Sequence, residues 1–286
     1  MRSGFTRASS DPSFPSMRVF IFGAGKLGRA LARAAKQAGH QVHCRPARSG
    51  MPKKRVAADL IVFAVRDREL TPAAEAWAQA GLVATGDVVV HVAGALGADV
   101  LAPLRAVGAK VAQMHPMISF ADPALTPPLQ GGGCHVAGDA AAVRRARAFA
   151  KSVGLVPRNY AGLDTIGYHA AAAFVANGAC ALAAEGARVL EAAGVPAADV
   201  HLWLGPLLTS VGANVQQLGF PHALTGPVRR GDAAAVQKHA DNLSRRAPSA
   251  LPLYRAALGA QVRMAKELGE VPDAALRDIR KLGEAP

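Results

Sequence analysis

From Arg18 onward, short apolar runs alternate with longer segments in which apolar residues recur every three to four positions. The short runs are rich in Val, Ile and Phe, as buried strands are, and the longer segments are typical of amphipathic helices. Strands of continuous apolar character separated by helices predict a parallel sheet covered on both faces. The predicted strands are RVFIFGAG, HQVHCR, DLIVFAV, DVVVHVAG, KVAQMH, CHVAG and a short one near Val156.

The pattern changes beyond Tyr160, where strand signals stop. An Ala-rich segment runs from Thr165 to Gly194 and predicts one helix of about 30 residues, roughly 45 Å long. Glycines and prolines then divide the remaining chain into four further helices. Within the sheet region, the Pro- and Gly-rich stretch 120–133 predicts a loop.

These patterns predict an α/β fold in two domains, and 286 residues suffice for two cores. A Rossmann domain with a doubly wound parallel sheet spans residues 17–160, and an all-helical domain spans 161–286. Residues 1–16 are polar and rich in Pro and Ser. They indicate a disordered extension, or a start codon misassigned upstream of Met17.

The charge balance favours an anionic partner, because 33 Lys and Arg face 20 Asp and Glu, for a net charge of +13. The cations are dispersed and are not interleaved with aromatic residues, so we do not expect nucleic-acid binding. No apolar run without Gly, Pro or charge is long enough for a membrane span, and no signal core is present. We therefore expect a soluble cytoplasmic protein.

The three cysteines are odd in number and far apart, so they predict neither a disulfide framework nor a zinc site. The side chains of His40, His43 and Cys44 would diverge along a helix end and a strand. We therefore expect no metal site.

Three glycines at the end of the first strand, Gly23, Gly25 and Gly28, have the G-x-G-x-x-G spacing. The first allows a tight turn, the second lets a pyrophosphate approach the backbone, and the third allows helix and strand to pack closely. The following helix offers free N–H groups to the phosphates. We predict that a dinucleotide contacts the loop Gly23, Ala24, Gly25, Lys26, Leu27 and Gly28.

The end of the second strand predicts which dinucleotide binds. Sites for NAD place Asp or Glu about 20 residues after the glycines, to bind the ribose hydroxyls. This chain has Arg45, Arg48 and Ser49 there, which could bind a 2′-phosphate through charge-assisted hydrogen bonds. NADP is therefore the predicted cofactor. The alternative is that the arginines belong to a solvated loop.

Several motifs together resemble a known family. They are FGAGKLG, the FAVRD turn, HVAGALG, HPMISF, YHAAAAFVANG and ALTGPVRRGD. From about Arg18 to the C-terminus, the chain resembles Rossmann-like oxidoreductases of the 6-phosphogluconate dehydrogenase superfamily, in the branch with an uncharacterised helical C-terminal domain. Relatives of this architecture are pyrroline-carboxylate, ketopantoate and imine reductases and prephenate dehydrogenases.

The resemblance implies hydride transfer and dimerisation through the helical domain. We also assign Val65, in the FAVRD turn, to the cofactor site. The resemblance also suggests a substrate, since some members of the nearest branch reduce ketopantoate. At one position this chain departs from its relatives, which often have Ser where it has Ala93, so a hydroxyl that would contact the substrate is missing.

His115, in HPMISF, ends a predicted parallel strand, where open α/β sheets bind ligands. An imidazole there could act as general acid beside the nicotinamide, a role suited to a pKa near neutrality. The motif also resembles the His-Pro-Met of prephenate dehydrogenases. The alternative is a histidine that hydrogen-bonds the backbone before Pro116.

Polar residues on the predicted long helix share one face. His169, Ala173 and Asn177 are spaced by four, so the His and Asn side chains point the same way among alanines. In related hydroxyacid enzymes a Lys and Asn at this spacing orient the substrate, and His169 would replace the Lys. Hydrogen bonding between helices is the alternative.

The segment ALTGPVRRGD predicts a substrate contact. Thr225 and Arg230 could bind a carboxylate, with the guanidinium forming a bidentate fork. Asp232 is the expected N-cap of the next helix.

We therefore predict a homodimeric NADP-dependent oxidoreductase that reduces a small, anionic carbonyl or imine substrate such as the 2-oxo acid ketopantoate. His115, His169 and Asn177 are its candidate catalytic residues, with the two histidines on opposite walls of one cleft. Two alternatives stay open: an oxidative enzyme resembling prephenate dehydrogenase, and an NADP-binding regulator without catalysis.

Overall fold

The structure, a computed structural model, describes residues 14–284. Its first half is a seven-stranded sheet in the order β2-β1-β3-β4-β5-β6-β7. The strands are β1 Arg18–Phe22, β2 Gln41–Arg45, β3 Leu60–Phe63, β4 Val88–His91, β5 Lys110–Pro116, β6 Gly133–Gly138 and β7 Val156–Arg158.

Helices cover both faces of this sheet, as its uniformly apolar strands require. They are α1 Lys26–Gln37, α2 Asp67–Gln79, α3 Ala102–Ala106 and α4 Ala140–Ser152. One core cluster includes Leu31 of α1 and Phe149 of α4. The other includes Trp77 of α2 and Leu104 of α3. The predicted doubly wound fold is thereby confirmed.

Two strands depart from the predicted parallel sheet. Strands β1 to β5 are parallel to one another, but β6 pairs with β5 in the antiparallel direction, with His115 opposite His135, and β7 is parallel to β6. A parallel connection needs a crossover, usually a helix. Residues 117–132 form no helix, and the N–H of Met117 donates to the carbonyl of Gly133 at the same sheet edge. The chain therefore turns back instead of crossing the sheet.

The predicted long helix is α5 Thr165–Ala192. The contacts within the chain divide it into two compact units at Ala173 and Phe174, inside this helix. The domain boundary at residue 160 stays a prediction. The helices after α5 are α6 Val200–Leu218, the short α7 Gly226–Arg229, α8 Ala233–Arg246, α9 Leu251–Leu268 and α10 Asp273–Glu284.

The second unit has a core of its own around Val236 and Leu258, formed mainly by α8, α9 and α10. As predicted, Asp232 caps α8, since its carboxylate accepts a hydrogen bond of 2.9 Å from the N–H of Ala235. The extension predicted over residues 1–16 falls largely on residues 1–13, which lie outside the described range.

Helices α5 and α6 leave large apolar side chains exposed. Phe174 is 82% exposed and Trp203 is 62% exposed, and Val200 is the one residue of α6 that is buried. By length and composition alone, α5 could also span a membrane, with a mean hydropathy of 1.3 over its most apolar 18 residues. These two helices thus carry an apolar surface that the described residues do not cover.

Candidate functional site

The glycine loop between β1 and α1 has a backbone that requires glycine. Gly23 has a φ of +116°, and a Cβ there would collide with the carbonyl of Ala64, just beyond β3. A Cβ on Gly28 would collide with the carbonyl of Gly23. At Gly25, by contrast, a Cβ would meet no atom within 4 Å. The loop is therefore packed tightly against β3 on one side and open on the other.

The open side of the loop faces a cavity of about 780 Å³. Because β2 and β3 lie on opposite sides of β1, this cavity sits at the topological switch point of the sheet, where doubly wound folds bind nucleotides. Its lining includes the predicted residues Gly23, Ala24, Gly25, Lys26, Arg48 and Val65.

The electrostatics of the cavity suit an anion. Helix α1 begins at Gly25 without a side-chain cap and without an acidic residue in its first turn, so its first N–H groups are available. Lys26, Arg48 and Arg66 line the cavity and form no ion pair among the described residues, although Glu69 also contributes to the wall. Such a cradle could hold the phosphates of a dinucleotide.

The two predicted arginines have different surroundings. The guanidinium of Arg45 donates to the carbonyls of Gly50 and Ser49, each at 2.7 Å, and so closes the short turn that follows β2. Arg48 instead lines the cavity. Ser49 is exposed, and Leu27 packs against the apolar core. Arg48 is thus the predicted phosphate ligand that the structure brings to the glycine loop.

Further along the same edge, at the ends of β4 and β5, the structure brings the two predicted histidines together. The ring centroids of His115 and His169 are 5.8 Å apart, with the planes at 76°. Between them lies Gly94, where a Cβ would collide with Nδ1 of His169 and lie 2.8 Å from Nε2 of His115. The absence of a side chain at Gly94 leaves both nitrogens facing one small space.

Buried polar side chains fix the loop that carries Gly94. His91 accepts a hydrogen bond from the N–H of Ala93 at Nδ1 and donates from Nε2 to the carbonyl of Gly97. Gln113 donates to the carbonyls of Ala93 and Gly94 at 2.9 and 3.2 Å. The loop is thereby bonded to β4 and β5.

Helix α5 is attached to this loop as well. The Thr165 hydroxyl, in its first turn, donates to the carbonyl of Ala95 at 3.0 Å. The contact ties the turn of α5 that precedes His169 to the loop that carries Gly94. A direct hydrogen bond therefore joins the helix that carries His169 to the loop that carries Gly94.

The two histidines differ in environment. Burial, together with the nearby His169, His135 and His91, lowers the pKa of His115 to about 4. This value lies below the pKa near neutrality that would suit a general acid, and it favours a neutral His115 imidazole at physiological pH. His169 is exposed. The pair thus combines a buried neutral imidazole with one that reaches solvent.

Sequence reasoning missed Gly94, His91, Gln113 and Tyr168, whose hydroxyl lies 3.2 Å from Nδ1 of His115. One signal was available for His91 and Gln113, because each is a polar residue inside an otherwise apolar strand. Gly94 and Tyr168 lie within motifs that the resemblance singled out, but no linear pattern shows their contacts.

The other predicted residues lie in the second unit. Asn177 follows His169 by two helical turns on α5 and is exposed. Thr225 directly precedes α7 and Arg230 directly follows it, and both have exposed side chains. Their roles stay predictions.

Two family models match the chain. A Rossmann-like domain matches residues 5–116, and a domain of unknown function, DUF2520, matches residues 133–261. The chain is thus similar to a Rossmann-like domain in its first half and to a DUF2520 domain in its second. This combination agrees with the resemblance expected from the motifs. Among curated proteins, none matches significantly.

Solved structures share the fold of this Rossmann-like and DUF2520 pair. A Thermotoga maritima protein is 20% identical, with a TM-score of 0.63, covering 88% of this chain and 100% of its own. A reductive aminase from Aspergillus terreus, in complex with NADPH and ethyl levulinate, is 19% identical (TM-score 0.52, coverage 88% and 95%). A 1-pyrroline-5-carboxylate reductase from Streptococcus pyogenes is 16% identical (TM-score 0.54, coverage 88% and 99%).

The geometry around Gly94 leads to a testable prediction. Gly94→Ala should push the two imidazoles apart, because the new methyl group takes the space that both nitrogens face. Nuclear Overhauser contacts between the rings of His115 and His169 should disappear, with a loss of about 1–3 kcal/mol in the free energy of unfolding from overpacking.

Gly97→Ala is the matched control, since a Cβ there meets no atom within 4 Å and its φ of −76° suits alanine. It should keep the ring contacts. Ring contacts that persist unchanged in Gly94→Ala would contradict the role given to Gly94.

Proposed function

We propose that this protein is an NADPH-dependent oxidoreductase that reduces a small carbonyl or imine compound. The observation that carries the proposal is the arrangement of one sheet edge. A glycine loop and a cationic cavity lie at the end of β1, and a histidine pair lies at the ends of β4 and β5, which run parallel to it. Cofactor and reacting groups therefore have adjacent places at the ligand-binding edge of the sheet.

The residues present fit NADPH. Gly25 leaves open space where the pyrophosphate would lie, and the uncapped start of α1 supplies N–H donors. Arg48 follows β2, where an NAD site would have a carboxylate, and its cation suits a 2′-phosphate. When bound, the nicotinamide supplies a hydride.

The two histidines have different roles in the remaining chemistry, one as a hydrogen-bond donor and the other in proton transfer. With its pKa lowered to about 4, His115 stays neutral and can donate a hydrogen bond to the carbonyl or imine of the substrate, which polarises it. A neutral imidazole acts in this way in triosephosphate isomerase. His169, the exposed partner, can take a proton from solvent and deliver it to the developing alkoxide or amine.

The solved structures with the same fold support a reductase. One is a reductive aminase bound to NADPH, and another is a 1-pyrroline-5-carboxylate reductase. Both names describe reduction at a carbon bonded to nitrogen. For this chain, the proposed chemistry rests on its own glycine loop and histidines, and the shared fold supports it.

For the substrate we propose a small anion, with a 2-oxo acid such as ketopantoate as the first compound to test. Its carboxylate would be bound by Thr225 and Arg230, and Asn177 would orient it. Two outcomes compete with this proposal. One is an oxidative enzyme that resembles prephenate dehydrogenase, and the other is an NADP-binding regulator without catalysis. Following NADPH absorbance with a panel of 2-oxo acids and cyclic imines separates them, since NADPH binding without oxidation by any compound would favour the regulator.

Cofactor choice should depend on Arg48. Arg48→Ala removes a charge-assisted hydrogen bond to the 2′-phosphate, worth about 1.5–3 kcal/mol, so NADPH affinity should fall roughly tenfold to hundredfold while NADH affinity changes little. Fluorescence titration with both cofactors measures this.

Arg68→Ala is the control, because Arg68 is an exposed residue of α2 outside the cavity lining. Arg45→Ala should affect both cofactors equally, since Arg45 holds the turn. An unchanged ratio of NADPH to NADH dissociation constants in Arg48→Ala would refute the assignment.

Turnover should depend on both histidines. His115→Asn and His169→Asn should each lower kcat by roughly 10² or more, because each removes a group that acts on the reacting atoms, while the dissociation constant of NADPH stays nearly unchanged. His222→Asn, an exposed histidine of the second unit, provides the control. Full turnover in either site variant would remove that residue from the mechanism.

We also propose a homodimer formed through the apolar surface of α5 and α6. Exposed patches of this kind mark association surfaces, and a second copy of the chain would bury them. The dimer also accounts for the hydropathy of α5 without a membrane.

Light scattering at micromolar concentration should therefore give twice the chain mass. Trp203→Glu places a charge on the exposed α6 surface and should shift the protein toward monomer, whereas Val107→Glu, on the first unit, should not. A monomeric wild type, or one that requires detergent to stay in solution, would contradict the dimer.

A further inference from the structure

Tyr168 contacts His115 at Nδ1, whereas Nε2 is the ring nitrogen that faces Gly94. Tyr168 lies in the first turn of α5, with its hydroxyl 3.2 Å from Nδ1 of His115 and its ring at 80° to the imidazole. His135, which stands opposite His115 in the β5–β6 pair, contacts Tyr168 at a centroid distance of 5.7 Å. Tyr160 stacks on the His135 ring at 6.3 Å.

We propose that Tyr168 is a positioning residue that donates its O–H to Nδ1 of His115. The contact holds His115 in the tautomer with its hydrogen on Nε2, the nitrogen that faces Gly94 and His169. The inference deepens the proposed function, because it explains how His115 presents a donor to the substrate.

The protonation states of the two groups allow Tyr168 to donate this hydrogen bond. Burial, and then the nearby Cys134 thiol, raises the pKa of Tyr168 to about 12, so the phenol keeps its hydrogen at neutral pH. His115 has a pKa of about 4 and carries a single N–H. When Nδ1 accepts the phenolic hydrogen, that N–H must be on Nε2.

The surroundings of the phenol indicate which atom accepts its hydrogen. A backbone group of His135 also acts on the phenol and lowers the pKa of Tyr168. The Nδ1 atom of His135 is buried and makes no hydrogen bond among the described residues. It therefore does not take the hydrogen of Tyr168, and Nδ1 of His115 is its acceptor.

The tautomer decides what His115 can do. With hydrogen on Nε2, the ring presents a donor to the space beside Gly94, and a substrate oxygen or nitrogen can accept it. With hydrogen on Nδ1, the same position would present a lone pair, which repels the developing negative charge. An orienting group that fixes the tautomer of a catalytic histidine is a recurring device, and losing it costs rate rather than binding.

The test uses the full chain labelled with ¹⁵N, without cofactor, and reads the tautomer from nitrogen–proton correlations of the His115 ring, assigned by comparison with His115→Asn. We expect the Nε2–H form in the wild type and a mixture of tautomers in Tyr168→Phe. Tyr160→Phe is the matched control, because it removes a hydroxyl from the same aromatic cluster without touching His115, and its spectrum should match the wild type.

Turnover provides the second readout. Tyr168→Phe should lower kcat by at least about tenfold, with NADPH affinity unchanged. A wild-type His115 with hydrogen on Nδ1, or a tautomer that does not respond to Tyr168→Phe, would overturn the proposal; the wild-type spectrum decides this even if the variant folds poorly. A changed tautomer with unchanged turnover would uphold the contact and contradict the role of His115 in the proposed reaction.

Discussion

At the ends of β1 and β3, two backbones approach each other so closely that no side chain fits between Gly23 and the Ala64 carbonyl. The site depends on this contact. It turns the chain sharply into α1, and Gly28 allows the helix to pack close behind the turn. The first N–H groups of α1 then point into the cavity at the switch point of the sheet, where a negative charge is stabilised by the helix dipole.

The neighbouring half of the site is built differently, from buried polar side chains. His91 and Gln113 sit inside apolar strands, and their hydrogen bonds to Ala93, Gly94 and Gly97 hold an irregular loop in one conformation. Satisfied polar networks of this kind rigidify a site because each broken bond would leave a buried group unpaired. Burial has a second effect, since it lowers the pKa of both His91 and His115 to about 4. Burial thus both stabilises the loop and keeps the His115 imidazole neutral.

The features that could be predicted from the sequence are those with a local cause. The glycine spacing in FGAGKLG indicates a loop whatever surrounds it, and His115 at a strand end has a defined place at the sheet edge. His169 follows from helical spacing. The reversed direction of β6 and β7 was missed because it depends on residues 117–132 turning back at the sheet edge. The separate surroundings of Arg45 and Arg48 depend on how one short turn folds, and the contacts of Gly94 and Tyr168 join elements far apart in sequence.

The central step of the proposed function is the transfer of a hydride from NADPH to a substrate held beside His115 and His169. The most direct measurement uses NADPH deuterated at the transferring carbon, with the panel of 2-oxo acids and cyclic imines, followed by mass spectrometry of the products. We predict a reduced product that carries one deuterium at the former carbonyl or imine carbon. Tight NADPH binding with no deuterium in any product across the panel would contradict the account and leave a binding protein in its place.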